Sequence, residues 1–453
     1  MAFATLSAPS TTPDRMAARM EKFVIEGGAP LSGSIVPAGN KNAALPALAA
    51  CLLTAEQVTV RNVPRIRDVD AMLGLLKGLG VEVAWREENV VVLKAAQVDP
   101  LAVDVDLAEK IRASFLIAGP LLARFRQAEM PTPGGDVIGR RRLDPHLDAF
   151  RALGTTITHE RAFGYRLNAP NGLKACDFFM DEPSVMATEN ALMAAALTPG
   201  ATVIHNAASE PHVQDLARML LQMGARIEGI GSNVLIVHGS DTLGGADYTI
   251  GPDYIEIGSF VALAAVTGGE LRIRGGVTDD LRMTRMAFER LGCRVELDGD
   301  DILVPPDQRL RVRDDEGDAV PKIEDGPWPA FPADLTSIAL ALATQAEGAV
   351  LIFEKMFENR LFFVDKLVTM GARVILCDPH RAVVIGPSRL HGERMESPDI
   401  RAGMAMLIAA LCAEGQSEIG NIRQIDRGYE RIDERLRSLG ARIERVASQP
   451  VAA

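Results

Sequence analysis

A pattern of roughly 70 residues recurs six times along the 453-residue chain, and it constrains the possible folds more than any other feature. Each copy contains an apolar helix, a strand, an amphipathic helix that ends in Leu-Gly or Met-Gly, and a closing hairpin. The terminal glycines are Gly80, Gly154, Gly224, Gly292, Gly371 and Gly440. A glycine directly after a helix favours a left-handed cap, and the β-branched residues that follow predict a strand.

The two helices of each copy differ in character. The first, as in NAALPALAACLL or RAGMAMLIAALCAEG, is apolar on nearly all sides, which predicts that it is buried. The second, as in ERIDERLRSLG, carries charge on one side and predicts a helix that covers a sheet and faces water. A unit of this size cannot bury its own core. The chain therefore predicts an α/β fold of two lobes with three repeated units each, separated by a cleft.

Composition excludes several classes of partner. The formal net charge of −12 argues against binding to nucleic acid or to an anionic membrane, and no apolar helix is long enough to span a bilayer. The five cysteines lack metal-ligand spacing, which predicts reduced thiols and no metal site. Residues 1–19, rich in Ser, Thr, Pro and Ala, predict a disordered tail rather than a signal segment, and 449–453 predict a second tail. We expect a cytoplasmic protein.

Three of the apolar helices open with a cation, against the preference of the helix dipole. Lys41, Arg112 and Arg401 each cost about 0.3–1 kcal/mol at such a position unless an anion lies nearby. Because the repeat places equivalent helix ends on one side of a lobe, the cations predict a common site for phosphate or carboxylate groups. The alternative is that each is solvated or paired with a local acid such as Glu109 or Asp399.

The loop of the second unit, QAEMPTPGGDVIGRRRLDPH, departs from the repeat. It combines glycines with a basic run and one acid on its flexible part, namely Gly134, Gly135, Gly139, Arg140, Arg141, Arg142 and Asp136. Glycines make such a loop mobile, so it predicts a lid over a bound anion, although alone it would indicate a solvated surface loop. Asp334, at the start of the fifth inner helix, is a candidate general base or an ordinary N-terminal helix acid.

Six strings occur in a fixed order: NKNAALP, RAS, PGGDVIG, AFPAD, FENR and IDRGYER. Together they resemble the enolpyruvyl transferase family, and within it the members that act on UDP-N-acetylglucosamine, over residues 20–447. The shikimate-pathway members differ because they usually begin with Ser-Lys-Ser, whereas this chain has Asn40-Lys41-Asn42. The resemblance implies an inside-out α/β barrel. It implies one lobe from residues 42–251 and another from residues 20–41 plus 252–448.

The resemblance also implies a reaction and its residues. The enolpyruvyl group of phosphoenolpyruvate passes to the 3-hydroxyl of UDP-N-acetylglucosamine, and phosphate is released, in the first committed step of peptidoglycan synthesis. No cofactor or metal is implied, and the oligomeric state stays open. The implied catalytic residues are Lys41, Asp136 and Asp334, and the implied phosphoenolpyruvate contacts are Lys41, Asn42, Arg141, Arg401 and Arg427, with Arg112 beside them. The implied nucleotide-sugar contacts are Asn42, Arg112, Arg141, Arg142, Leu143, Asp144, Pro145, Ser184, Val185, Asp334 and Met356, supported by Glu358 and Arg360.

The chain departs from the family at the lid. Asp136 stands where most members carry a cysteine, the residue that the epoxide fosfomycin alkylates, so we expect an insensitive protein. A carboxyl group can replace the thiol as a proton donor when a closed lid excludes water. We also expect the cations of the two lobes to repel each other and hold the cleft open until an anion bridges them.

Near the nucleotide site, Glu182-Pro183 and Tyr254 also differ from common family residues. These departures leave two alternatives open. One is an enolpyruvyl transferase that acts on another nucleotide or nucleotide sugar. The other is a non-catalytic nucleotide-sugar sensor.

Overall fold

The computed structural model describes residues 21–161, 163–276 and 279–447 of the chain, so the two predicted tails lie outside the described residues. Within these ranges, no helix is both long enough and apolar enough to cross a bilayer. The described strands form six sheets, one for each predicted unit, five with four strands and one with three. The six-unit organisation is therefore confirmed.

The strands are short and alternate with the helices along the chain. They are β1 (Glu21–Glu26), β2 (Gly33–Ile35), β3 (Gln57–Arg61), β4 (Glu82–Glu87), β5 (Val90–Lys94), β6 (Gln127–Pro131), β7 (Thr156–Glu160), β8 (Gly164–Asn168), β9 (Asp177–Phe179), β10 (Gly200–His205), β11 (Arg226–Glu228), β12 (Val234–Gly239), β13 (Ala246–Thr249), β14 (Leu271–Ile273), β15 (Glu296–Asp298), β16 (Asp301–Val304), β17 (Lys322–Glu324), β18 (Gly348–Phe353), β19 (Val374–Asp378), β20 (Arg381–Gly386), β21 (Arg394–Glu396), β22 (Gln416–Gly420) and β23 (Arg442–Ala447). In unit order they pair as β13-β3-β5-β4, β6-β8-β7, β11-β12-β10-β9, β15-β16-β14-β2, β17-β18-β20-β19 and β21-β22-β1-β23.

The helices follow the predicted alternation of buried and amphipathic segments. They are α1 (Lys41–Ala50), α2 (Arg67–Gly78), α3 (Val105–Ala108), α4 (Ala118–Phe125), α5 (Asp144–Ala152), α6 (Val185–Ala196), α7 (Pro211–Gln222), α8 (Tyr254–Thr267), α9 (Arg282–Glu289), α10 (Thr336–Ala343), α11 (Val364–Thr369), α12 (Ile400–Cys412) and α13 (Ile432–Ser438). The 3₁₀-helices are Cys51–Leu53, Arg112–Ile117, Asp279–Leu281, Ala333–Leu335 and Ile425–Arg427.

All six terminal glycines adopt the left-handed backbone conformation. Their φ angles range from +78° at Gly292 to +106° at Gly371. At Gly80, for example, the backbone N–H donates to the Lys77 carbonyl and that of Val81 donates to the Leu76 carbonyl, which closes the end of α2. A residue with a Cβ atom is strained in this conformation, so the recurring glycine is required by the backbone.

The apolar helices lie inside and the sheets lie outside, as in the predicted inside-out α/β barrel. One hydrophobic core is formed by buried residues between Ala43 and Ile250, around α1, α4 and α6. A second core combines Phe23, Ile25, Leu31 and Ile35 with residues from Tyr254 onward, around α8, α10 and α12. We propose that these two cores mark the two lobes with the boundaries given above.

The chain passes between the two cores at two adjacent points. The Asn40 N–H donates to the Gly251 carbonyl at 2.9 Å, and the Asp253 N–H donates to the Ala38 carbonyl at 2.8 Å. The Asp253 carboxylate caps α8 by accepting from the N–H groups of Ile255 and Glu256. The same carboxylate accepts from the Lys41 N–H at 3.3 Å. The first inner helices of both cores therefore begin side by side.

Two inner helices begin differently from the sequence prediction. Residues Arg112–Ile117 form a 3₁₀-helix, and α4 starts only at Ala118. Pro120 lies in the first turn of α4, where its missing N–H costs nothing, and this favours a helix start at that point. Arg112 therefore heads a 3₁₀-helix rather than the expected α-helix. Asp334 likewise lies in the 3₁₀-helix Ala333–Leu335 before α10 and makes no capping hydrogen bond.

Candidate functional site

A cavity between the two lobes collects most of the residues that the sequence singled out. Those that line it are Lys41, Asn42, Arg112, Asp136, Arg141, Val185, Asp334, Met356, Arg360, Arg401 and Arg427. The three cations from the inner helix ends thus share one cavity with the lid residues. Arg142, Leu143, Asp144, Pro145, Ser184 and Glu358 are not among its lining residues.

Carboxylates lie between the cations of the cavity. Asp68 accepts from the Lys41 Nζ at 2.8 Å and from the Arg427 Nε at 2.8 Å. The Nη1 of the same Arg427 donates to the lid residue Asp136. Burial alone would raise the pKa of Asp68, but the charges of Lys41 and Arg427 lower it below its usual range. This cluster joins α2, the lid and the 3₁₀-helix Ile425–Arg427.

Asp334 is the centre of a second charge cluster. Its Oδ2 accepts from the Arg401 Nε at 3.1 Å and Nη2 at 2.9 Å, and its Oδ1 accepts from the Arg360 Nη2 at 3.0 Å. Burial opposes ionisation, but Arg401, Arg360 and Lys41 outweigh it and hold the pKa of Asp334 well below its usual range. Asp334 is therefore an ionised carboxylate that two arginines hold in the cavity.

Two further arginines lie in the cavity with fewer carboxylate partners. The Arg112 Nη2 donates to the carbonyl oxygens of Arg141 at 2.5 Å and Arg142 at 3.0 Å, which joins the start of its 3₁₀-helix to the lid. Burial, together with the charge of Arg141, lowers the pKa of Arg112 to about 10. Burial also lowers the pKa of Arg141, although Asp136 and Asp334 oppose the shift. An anion between these arginines would recover part of this desolvation cost.

The lid contacts the opposite lobe directly. The Arg140 N–H donates to Glu358 Oε2 at 3.0 Å, and the Asn359 N–H donates to the Ile138 carbonyl at 3.0 Å. Gly139 permits this approach, because a Cβ atom there would lie 2.1 Å from Glu358 Oε2, and its φ of +135° suits glycine. Glu358 thus supports the lid rather than lining the cavity.

The carboxylates of the cavity bear on the expected repulsion between the lobes. Asp68, Asp136 and Asp334 pair with cations of the cavity. Opposite charges at hydrogen-bond distance offset the repulsion between the cations. The opening of the cleft before an anion binds stays a prediction.

The segments around the implied nucleotide contacts form helix ends beside the cavity. Ser184 caps α6, since its side chain accepts from the Ala187 N–H at 3.4 Å, and Val185 begins that helix. Asp144 is the first residue of α5, where hydrogen bonding from the helix backbone lowers its pKa. Leu143 and Pro145, on either side of Asp144, are buried.

Arg142 differs from its sequence-based expectation. Its guanidinium pairs with Asp144 at 3.3 Å, Asp181 at 2.9 Å and Glu182 at 3.6 Å on the outer surface. These three acids occupy the guanidinium, so the side chain does not present a free charge to the cavity. Only its backbone carbonyl, bonded to Arg112, reaches toward the site.

Several cavity residues escaped the sequence analysis. They are Asp68, Glu189, Glu210, His212 and Trp328, together with Tyr254, which was noted only as a departure. Glu189 follows Val185 by four residues on α6 and so shares its helix face, a spacing that could have identified it. Burial raises the pKa values of Glu189 and Glu210. This end of the cavity is less cationic than the lid end.

Two buried histidines predict a loss of stability in mild acid. Burial and the charge of Arg112 lower the pKa of His146 to about 3, and burial lowers that of His212 to about 4. The unfolded chain binds protons near pH 6.5 that the folded chain does not, so stability falls as pH falls below that value. At pH 5 each histidine should reduce the free energy of unfolding by about 2 kcal/mol.

Denaturant unfolding at pH 7.5 and pH 5 measures this effect. In His146→Gln, the difference in the free energy of unfolding between pH 7.5 and pH 5 should shrink by the contribution of one histidine. Replacement of the exposed His159 by Gln should leave this difference unchanged. If the free energy of unfolding of His146→Gln kept the pH dependence of the unmodified protein, buried His146 would not be a source of the acid sensitivity.

Comparison with known proteins identifies the family. The family model described as EPSP synthase (3-phosphoshikimate 1-carboxyvinyltransferase) matches residues 25–436. The chain belongs to this family. A relative from Bradyrhizobium diazoefficiens, named UDP-N-acetylglucosamine 1-carboxyvinyltransferase, is 58% identical over 427 residues, covering 94% of this chain and 98% of the relative. A relative of the same name from Treponema denticola is 53% identical, covering 94% of this chain and 99% of its own length. The predicted resemblance is confirmed.

Solved structures share the fold. The enolpyruvyl transferase NikO from Streptomyces tendae matches with a TM-score of 0.84 at 24% identity, over 95% of this chain and all of its own. EPSP synthase from Acinetobacter baumannii matches with a TM-score of 0.72 at 17% identity, over 94% of this chain and all of its own. The inside-out α/β architecture that the resemblance implies is therefore confirmed.

Proposed function

We propose that the chain transfers the enolpyruvyl group of phosphoenolpyruvate to the 3-hydroxyl of UDP-N-acetylglucosamine and releases phosphate. The observation that carries this proposal is the convergence of cations with the two candidate catalytic carboxylates, Asp136 and Asp334, in one cavity between the lobes. Phosphoenolpyruvate carries a phosphate and a carboxylate, and arginine and lysine bind both groups. The names of the relatives from Bradyrhizobium and Treponema support the same acceptor.

In the proposed addition step, the Asp136 carboxyl gives a proton to the methylene carbon of phosphoenolpyruvate. The 3-hydroxyl oxygen then bonds to the adjacent carbon, and its proton passes to Asp334. Asp334 is ionised but is a weak base while Arg401 and Arg360 hold it. We propose that Arg401 turns toward the incoming carboxylate, which makes Asp334 a stronger base at the moment it is needed.

In the proposed elimination step, the carbon–oxygen bond to phosphate breaks. The Asp136 carboxylate takes a proton back from the new methyl group, which restores the double bond in the product, and the proton held by Asp334 leaves with the phosphate. Lys41 and Arg427 would stabilise the departing phosphate, because both side chains reach the same edge of the cavity through Asp68. We further propose the cytoplasm as the location and no metal or organic cofactor for this chemistry.

A different nucleotide acceptor is a second candidate, and one feature favours it. Arg142 is occupied by the surface acids Asp181 and Glu182 beside the start of α6, so this side chain does not present a free charge to a nucleotide. An acceptor with fewer phosphate groups would need fewer free cations beside the start of α6. A sensor without catalysis is less favoured, because binding alone does not require Asp136 and Asp334 together.

Phosphate release from phosphoenolpyruvate tests the proposal. We expect release with UDP-N-acetylglucosamine and little with UMP, UDP-glucose or other nucleotides tested separately. Faster release with another nucleotide would move the assignment to the second candidate. Binding without release for every nucleotide would support the sensor and contradict the proposed reaction.

A further inference from the structure

Asp68 is a buried carboxylate that joins two cations from distant parts of the chain. Lys41 begins α1 at the crossover between the lobes, whereas Arg427 ends the 3₁₀-helix Ile425–Arg427 in the lobe opposite to that of Asp68. The Asp68 side chain is 5% exposed and lines the cavity. Its Oδ2 accepts from the Lys41 Nζ at 2.8 Å, and its Oδ1 accepts from the Arg427 Nε at 2.8 Å.

The contact also fixes which edge of Arg427 faces the lid. Asp68 engages the Nε and, at 3.4 Å, the Nη2 of the guanidinium. The remaining Nη1 donates to Asp136 and to the Gln424 Oε1 at 2.9 Å. A guanidinium is a rigid planar fork, so holding one edge determines the direction of the other. Asp68 therefore determines the direction in which the Nη1 of Arg427 points toward the lid.

A helix-capping role does not account for this geometry. Asp68 and Asp70 both lie in the first turn of α2, where either acid favours the helix dipole. Asp70 is exposed. Within the part of the chain that the structure describes, Asp68 pairs with two cations and Asp70 with none. Burying a carboxylate costs free energy unless cations compensate for it. The burial of Asp68 between Lys41 and Arg427 therefore indicates that its role is to pair with these cations rather than to stabilise the helix.

We propose that Asp68 is a positioning residue of the phosphoenolpyruvate site, a role that rests on the function proposed above. It holds Lys41, at the crossover between the lobes, and Arg427 at one spacing, so that both cations meet the same phosphate group. Without it the two cations repel each other and Arg427 loses its orientation. The acceptor sugar is not held by this pair, so its binding does not depend on Asp68.

Steady-state kinetics and calorimetry test the role with Asp68→Asn, which keeps the shape and removes the charge. We expect kcat/KM for phosphoenolpyruvate to fall by about 100-fold, since small misplacements of a binding group have effects of this size. The Kd of UDP-N-acetylglucosamine should stay within about threefold of the unmodified protein. The matched control, Asp70→Asn, should leave both quantities unchanged.

Two outcomes would overturn the proposal. One is a loss of kcat/KM below about fivefold, and the other is an equal loss of nucleotide-sugar affinity, which would show a merely structural role. Should Asp68→Asn fail to fold, Asp68→Glu, which keeps the charge and moves it, is judged by the same two criteria. If the unmodified protein releases no phosphate, the proposed function fails separately. Calorimetry with phosphoenolpyruvate then decides, and equal affinity in the Asp68→Asn and unmodified proteins would refute the positioning role.

Discussion

Replacing Asp136 by Asn is expected to lower kcat by about 10³-fold, within the range for loss of a general acid. The amide keeps the size of the side chain and can still contact Arg427, but it has no acidic proton to give. Binding of UDP-N-acetylglucosamine should change little, because Asp136 is not among the implied nucleotide-sugar contacts. Phosphate release gives kcat, and calorimetry gives the affinity.

Asp148→Asn is the matched control, because Asp148 is an exposed acid on α5 outside the cavity and, among the described residues, pairs only with Arg151 at the surface. It should retain full turnover. Near-normal turnover of Asp136→Asn would remove Asp136 from the mechanism. Asp136→Cys should retain part of the activity, since a thiol can also supply the proton.

The unmodified protein is expected to keep its activity after prolonged incubation with fosfomycin. A carboxylate paired with Arg427 is a poorer nucleophile toward an epoxide than a thiolate. In Asp136→Cys the same arginine would favour the thiolate, so activity should decline with time and mass spectrometry should find one adduct at residue 136. The buried Cys51 and Cys293 provide an internal control, because burial raises the pKa of both thiols and keeps them protonated.

Time-dependent loss of activity in the unmodified protein, with an adduct on Asp136, would contradict this prediction. Activity loss with an adduct on Cys377, the exposed thiol, would instead indicate a reaction outside the cavity. Mass spectrometry of Asp136→Asn separates the two cases, since this variant removes the lid carboxylate and leaves Cys377 in place to form an adduct.

The architecture was predictable because its causes are local. A glycine after an amphipathic helix needs a positive φ wherever it occurs, and an alanine-rich helix without a polar face must be buried. Neither conclusion requires knowledge of distant residues. The three cations were found for a related reason, since a cation at a helix start is unfavourable within its own segment.

The charge pairs among the residues of the cavity were not predictable from the local sequence pattern. Asp68 has an adequate local explanation as a first-turn acid of α2, and its partner Arg427 lies 359 residues away. The lid contact with Glu358 depends on how the lobes meet, which no repeat encodes. The expected repulsion between the lobes counted the cations without the carboxylates that lie among them.

Asp253 joins the first inner helices of both lobes at the point where the chain crosses between them, because it caps α8 and accepts from the Lys41 N–H. This makes the pivot of lobe movement part of the anion site itself. Any rotation of one lobe against the other must turn Lys41, and any ligand that fixes Lys41 restrains the rotation. A compound that binds Lys41 where this residue lines the cavity would therefore restrain the lobes without touching the lid, and substitutions at the lid would leave its contacts unchanged.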